Sequence, residues 1–91
     1  MESTMCVVRG RVQGVGFRWF VSRNADDLGV RGTVRNRADG AVEVVLQAEE
    51  AEPMAELMER IREGPPGSRV EEVKCEPLEE APRYAGFQVV R

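Results

Sequence analysis

Apolar positions recur along this chain with two periods, and the changes between them mark out seven segments. From Thr4 to Val12 apolar and polar residues alternate and valine is frequent, which predicts a strand. Gln13-Gly14-Val15-Gly16 breaks the alternation with two glycines. From Phe17 the period lengthens: Phe17, Phe20, Val21, Ala25 and Leu28 share one face of a helix, and Gly29 supplies its stop. Val30 to Asn36 and Ala41 to Ala48 return to strand periodicity, joined by the turn Arg37-Ala38-Asp39-Gly40. Met54, Leu57, Met58 and Ile61 then give a second helical stripe. Pro53 suits its first turn, Glu49, Glu50 and Glu52 suit its positive end, and Arg60 and Arg62 its negative end. Gly64-Pro65-Pro66-Gly67 ends that helix, Val70 to Glu76 makes a fourth strand, and Gly86 to Val90 a short fifth.

The order β-α-β-β-α-β plus a short strand predicts an α+β domain. Two helices cannot cover both faces of such a sheet, so the sheet is expected to be antiparallel with both helices on one face. The right-handed crossover rule then favours a ferredoxin-like split βαβ sandwich with strand order 4-1-3-2. Parity places Cys6, Val8, Val12, Val30, Gly32, Val34, Val42, Val44, Leu46, Val73 and Cys75 inward. On the outer, wet face Arg9 and Arg11 are expected to pair with Glu43 on one side and with Glu72 or Glu76 on the other. Cys6 and Cys75 are expected on adjacent strands, both inward and reduced.

Composition narrows the chemistry more than the fold. The chain has 91 residues, enough for one domain, which is expected to span 4–91. No apolar run is long enough for a membrane span, and the first residues lack the pattern of a signal peptide, so a cytoplasmic location is expected; the chain is also expected to be a monomer. Histidine is absent altogether, which excludes Ser-His-Asp and Cys-His catalysis and nearly every zinc site. Net charge is −3, yet residues 1–40 carry seven arginines against four acids, while residues 41–91 carry six bases against twelve acids. The acidic whole disfavours nucleic acid as a partner; the basic first half can attract a small anion.

That anion has an obvious place. Gly10 to Arg18 is a glycine-rich passage from strand to helix, and amides there, with the helix N-terminus, form a concave anion site. Arg18 can offer a planar fork to two phosphate oxygens. The Walker and dinucleotide patterns both fail, because Phe17-Arg18 follows Gly16 and Trp19 stands where a glycine is needed. Strands one and two run parallel in the split βαβ unit, so the loop and Asn36 end at the same sheet edge, where the Asn36 amide can hold a water. Two readings stay open on these grounds. The glycines can simply make a tight turn beside a solvated Arg18, with Asn36 starting the next turn, or the three can form a phosphate site.

Gly10-Arg11-Val12-Gln13-Gly14-Val15-Gly16-Phe17-Arg18 resembles the signature of the acylphosphatase family, and Gly32 to Glu43 resembles its second signature. The similarity runs from about Met5 to Val90 and includes Gly86-Phe87-Gln88-Val89. Thr33 stands where the family commonly has an aromatic, and Ala48 where a glycine usually closes the third strand. The resemblance implies a ferredoxin-like fold and hydrolysis of small acyl phosphates to a carboxylate and inorganic phosphate. It implies that Arg18 binds the phosphate, with backbone amides of Gly14, Val15, Gly16, Phe17 and Arg18, and that Asn36 positions the attacking water. No metal, cofactor, nucleic acid or membrane is expected to take part. The alternative is an acylphosphatase-like module that binds a phosphorylated ligand without turnover or handles carbamoyl phosphate. Trp19 lies off its helix's apolar stripe, as a surface aromatic or a platform for the acyl group.

Overall fold

In the structure, a computed structural model that describes residues 2–91, the predicted periods become five strands and two helices. They are β1 (Glu2–Arg11), α1 (Phe17–Leu28), β2 (Arg31–Asn36), β3 (Val42–Ala48), α2 (Ala51–Glu63), β4 (Arg69–Pro77) and β5 (Phe87–Val89). The strands form one sheet in the order β4-β1-β3-β2-β5, so the expected 4-1-3-2 arrangement is present with β5 added beside β2. Three of the pairings are antiparallel; β2 and β5 are parallel, which makes the sheet mixed rather than purely antiparallel.

The connection from β4 to β5 accounts for that difference. It must travel from one edge of the sheet to the other, and it does so as a strap bonded to the strands in turn. The Leu78 N–H donates to the Ser3 carbonyl at 2.8 Å, and the Gly32 N–H to the Gly86 carbonyl at 3.0 Å. Between them, Gln47 Nε2 donates to the Pro82 carbonyl at 2.8 Å, and the Tyr84 N–H donates to Gln47 Oε1 at 2.9 Å. Having crossed, the chain can only lay β5 along β2 in the same direction. Gln47, on the same face of β3 as Glu43, is therefore only 1% exposed, its amide satisfied by the strap.

Pairing places Val8, Val42 and Asn36 in one row and Cys6, Val44 and Val34 in the next, on the helix-covered face. Phe17, Val21 and Ala25 of α1 and Met54, Leu57 and Ile61 of α2 close over these rows to form the core. A bulge moves the register from Arg9 opposite Glu72 to Gly10 opposite Val70. It leaves Glu71 unpaired and lets both Val70 and Val73 pack toward the core. On the outer face Arg9 meets Glu72 at 4.0 Å, as expected, and also Asp39 at 3.3 Å. Glu43 does not pair with Arg9 or Arg11. It binds Arg35 at 3.1 Å and Arg37 at 3.5 Å, because Arg35 stands directly opposite it on β2 while its β1 partner is Val7. Among the described residues no helix is long and apolar enough to cross a membrane.

The cysteines lie on adjacent strands as expected, but they are joined. Cys6 and Cys75 are directly opposite one another, with Cα atoms 4.0 Å apart, and form a disulfide. Direct cross-strand pairing brings two thiols within bonding reach, which overturns the reduced state expected from the sequence. Cys75 is also exposed rather than buried, since β4 is an edge strand and keeps only Val70 and Val73 partly covered. The bond links positions 69 residues apart, so it restricts the unfolded chain strongly. A denaturant titration with and without a thiol reductant is expected to show stability about 2–4 kcal/mol lower in the reduced protein. Equal midpoints would show that the link adds nothing to stability.

Candidate active site

The site forms where β1 and β2, which run in the same direction, end at one edge of the sheet. After β1 the chain passes through Val12, 1% exposed, and turns twice in the left-handed region, at Gly14 (φ 75°) and Gly16 (φ 76°). Side chains resist that conformation, so glycine is required at both. Added Cβ atoms there would meet no protein atom within 4 Å, so the loop's backbone stays open to a ligand. Val15 between them packs its side chain against the core.

Gly16 is the N-cap of α1. It has no side chain to satisfy the first helical amides, no side chain bonds to them as a cap, and no acid sits in the first turn. The positive end of the helix dipole is left uncompensated, the condition that favours an anion. Phe17, 1% exposed, anchors this end of the helix in the core, and Arg18 follows it, half-buried.

Asn36 ends β2 in the row of Val42 and Val8, on the side where core packing stops. Its Oδ1 is buried and has no hydrogen-bond partner among the described residues. A buried acceptor left unmatched costs about 1–3 kcal/mol, so such an atom asks for a functional explanation. Gly14, Gly16, Arg18 and Asn36 line one cavity of about 290 Å³, with Trp19 and Val89 in its wall. The structure thus brings the two candidate side chains and the amide loop to one place.

Gln13 is a further contributor, one that no motif or spacing in the sequence singles out. Its Nε2 donates to the carbonyls of Arg37 and Ala41, both at 2.9 Å, which ties the glycine loop to the turn following Asn36. The turn is itself braced: the Arg37 N–H donates to the Ala41 carbonyl at 2.8 Å, and Asp39 Oδ1 accepts from the Ala41 N–H at 3.1 Å. That N–H, aided by Arg37 and Arg9, holds the Asp39 carboxyl below the usual carboxylate range despite some desolvation. The departures at Thr33 and Ala48 fall elsewhere, on the outer face of β2 and at the end of β3 opposite Glu2.

The chain is similar to known proteins along nearly its whole length. The profile of the acylphosphatase family matches residues 4–89. An acylphosphatase from Lacticaseibacillus paracasei is 45% identical over 84 residues, covering 91% of this chain and 89% of that protein. The crystal structure of acylphosphatase from Bacillus subtilis superposes with a TM-score of 0.94 at 34% identity, covering 100% of both chains. Full-length HypF, in its phosphate- and nucleotide-bound form, contains a similar unit: TM-score 0.83 and 30% identity over 99% of this chain, but only 12% of HypF.

Proposed function

This chain belongs to the acylphosphatase family, hydrolases of the carboxyl–phosphate bond, and from that premise we propose that Arg18 and the amides of residues 14–18 bind the phosphoryl group while Asn36 positions the attacking water. The observation that carries this reading is that Asn36, whose Oδ1 is buried without a partner, lines the same cavity as Arg18 and the uncapped start of α1.

An acyl phosphate is a reactive mixed anhydride with a good leaving group. Holding its anionic end, aligning water and stabilising dispersed charge are therefore the main tasks. The guanidinium and amides hold the phosphoryl oxygens and follow their charge through the transition state. The Asn36 side-chain amide holds the water by hydrogen bonding, with an oxygen lone pair directed at phosphorus. The new bond forms between the water oxygen and phosphorus as the bond from phosphorus to the carboxylate oxygen breaks. The water's proton passes to a phosphoryl oxygen, and the products are a carboxylate and inorganic phosphate.

The reading takes a small-molecule acyl phosphate as substrate and inorganic phosphate as product. It includes no metal, cofactor, nucleic acid or membrane, and a monomer in the cytoplasm. The Cys6–Cys75 bond is its one discordant feature, since reducing compartments keep thiols reduced. Phosphate release from acetyl phosphate in the presence of a chelator, with p-nitrophenyl phosphate as the monoester control, tests it. Turnover of the first alone is expected. Activity abolished by the chelator and restored by magnesium would sink the metal-free scheme.

A further inference from the structure

We infer that Trp19 and Val89 form an acyl subsite, which selects acyl phosphates with a compact apolar acyl group, aromatic or branched, over acetyl phosphate. The inference rests on the reading that the cavity's amide loop and Arg18 hold the phosphoryl end. Single apolar side chains on a surface are ordinary and need no explanation. Here the large apolar side chains left exposed among the described residues are two, Trp19 at 63% and Val89 at 46%. They come from α1 and β5, far apart in sequence, and both line the cavity that holds Arg18 and Asn36.

Neither is placed there by the needs of the core. Trp19 falls between the buried positions Phe17 and Val21 of its helix. Val89 pairs with the fully buried Val34 and follows the buried Phe87 by two residues, yet is itself exposed. The Arg23 guanidinium carbon lies 5.2 Å from the Trp19 ring centroid, within cation–π range, and steadies the indole on the cavity wall. An acyl phosphate has a constant phosphoryl end and a variable acyl end, so the apolar wall is matched to the acyl end. At about 290 Å³ the cavity is near the lower limit of small-molecule sites, which suits a benzoyl or isobutyryl group better than a long chain.

The test compares kcat/KM for benzoyl phosphate and acetyl phosphate in the unaltered protein and in Trp19→Ala, Trp19→Phe and Val89→Thr. Because every protein meets the same two substrates, their intrinsic reactivities cancel in the comparison. Trp19→Ala is expected to lose about 5- to 10-fold more activity on benzoyl than on acetyl phosphate, mainly through KM. Trp19→Phe should restore most of that preference, and Val89→Thr should lose part of it. Equal losses on both substrates, or none on either, would overturn the subsite. If the unaltered protein hydrolyses neither compound, the phosphoryl-binding reading falls and the subsite with it. That result is distinct from robust turnover with an unmoved preference, which removes the subsite alone.

Discussion

Arg18→Ala is expected to lower kcat/KM for acetyl phosphate by about 10²–10³-fold, the loss typical of removing one charge-stabilising group, worth about 3–4 kcal/mol. Arg18 is the cationic side chain lining the cavity, so its removal weakens both the bound substrate and the transition state. Competitive inhibition by inorganic phosphate should weaken with it, by at least about tenfold. Arg18→Lys should recover little, because a point charge does not reproduce the guanidinium's two-pronged fork. Folding should be unaffected, since Arg18 is half-buried and the core contact at this helix end belongs to Phe17. Steady-state kinetics with phosphate as inhibitor, alongside thermal unfolding, settles the matter. Near-normal turnover in a folded Arg18→Ala protein would remove Arg18 from the mechanism.

Asn36→Ala should fail differently. Turnover is expected to fall by about 10²–10³-fold while inhibition by inorganic phosphate stays close to normal, because the amide contacts the water rather than the phosphate. The variant should also be at least as heat-stable as the parent. Asn36 Oδ1 is buried without a partner, and deleting such an acceptor removes an unpaid desolvation cost. Lost activity with retained or increased stability is what a residue kept for chemistry rather than packing produces. If phosphate inhibition weakens as severely in Asn36→Ala as in Arg18→Ala, the proposed division between water and phosphate is wrong.

Much of this fold is local in origin and therefore legible in one dimension. Alternation in Thr4–Val12 and the stripe Met54-Leu57-Met58-Ile61 each report a face that must be buried, and glycine at 14, 16 and 29 reports backbone that side chains resist. The order of the elements and the rule of crossover handedness were then enough to bring the glycine loop and Asn36 to one edge. The fold and the central residues of the candidate site were thus legible along the chain. Properties of pairs distant along the chain were not legible in this way. Register set the Cys6–Cys75 bond and gave Glu43 to Arg35 and Arg37, because parity names a face but not the partner opposite. The strap across the sheet buried Gln47 and laid β5 parallel to β2, and no periodicity encodes where a loop will cross. Gln13 reads as another polar loop residue until the turn after Asn36 folds back and presents two carbonyls to its amide. Periodicity records how each residue meets an average interior. Particular contacts depend on how the loop-closing segments pack, and that is decided only when the whole chain is in place.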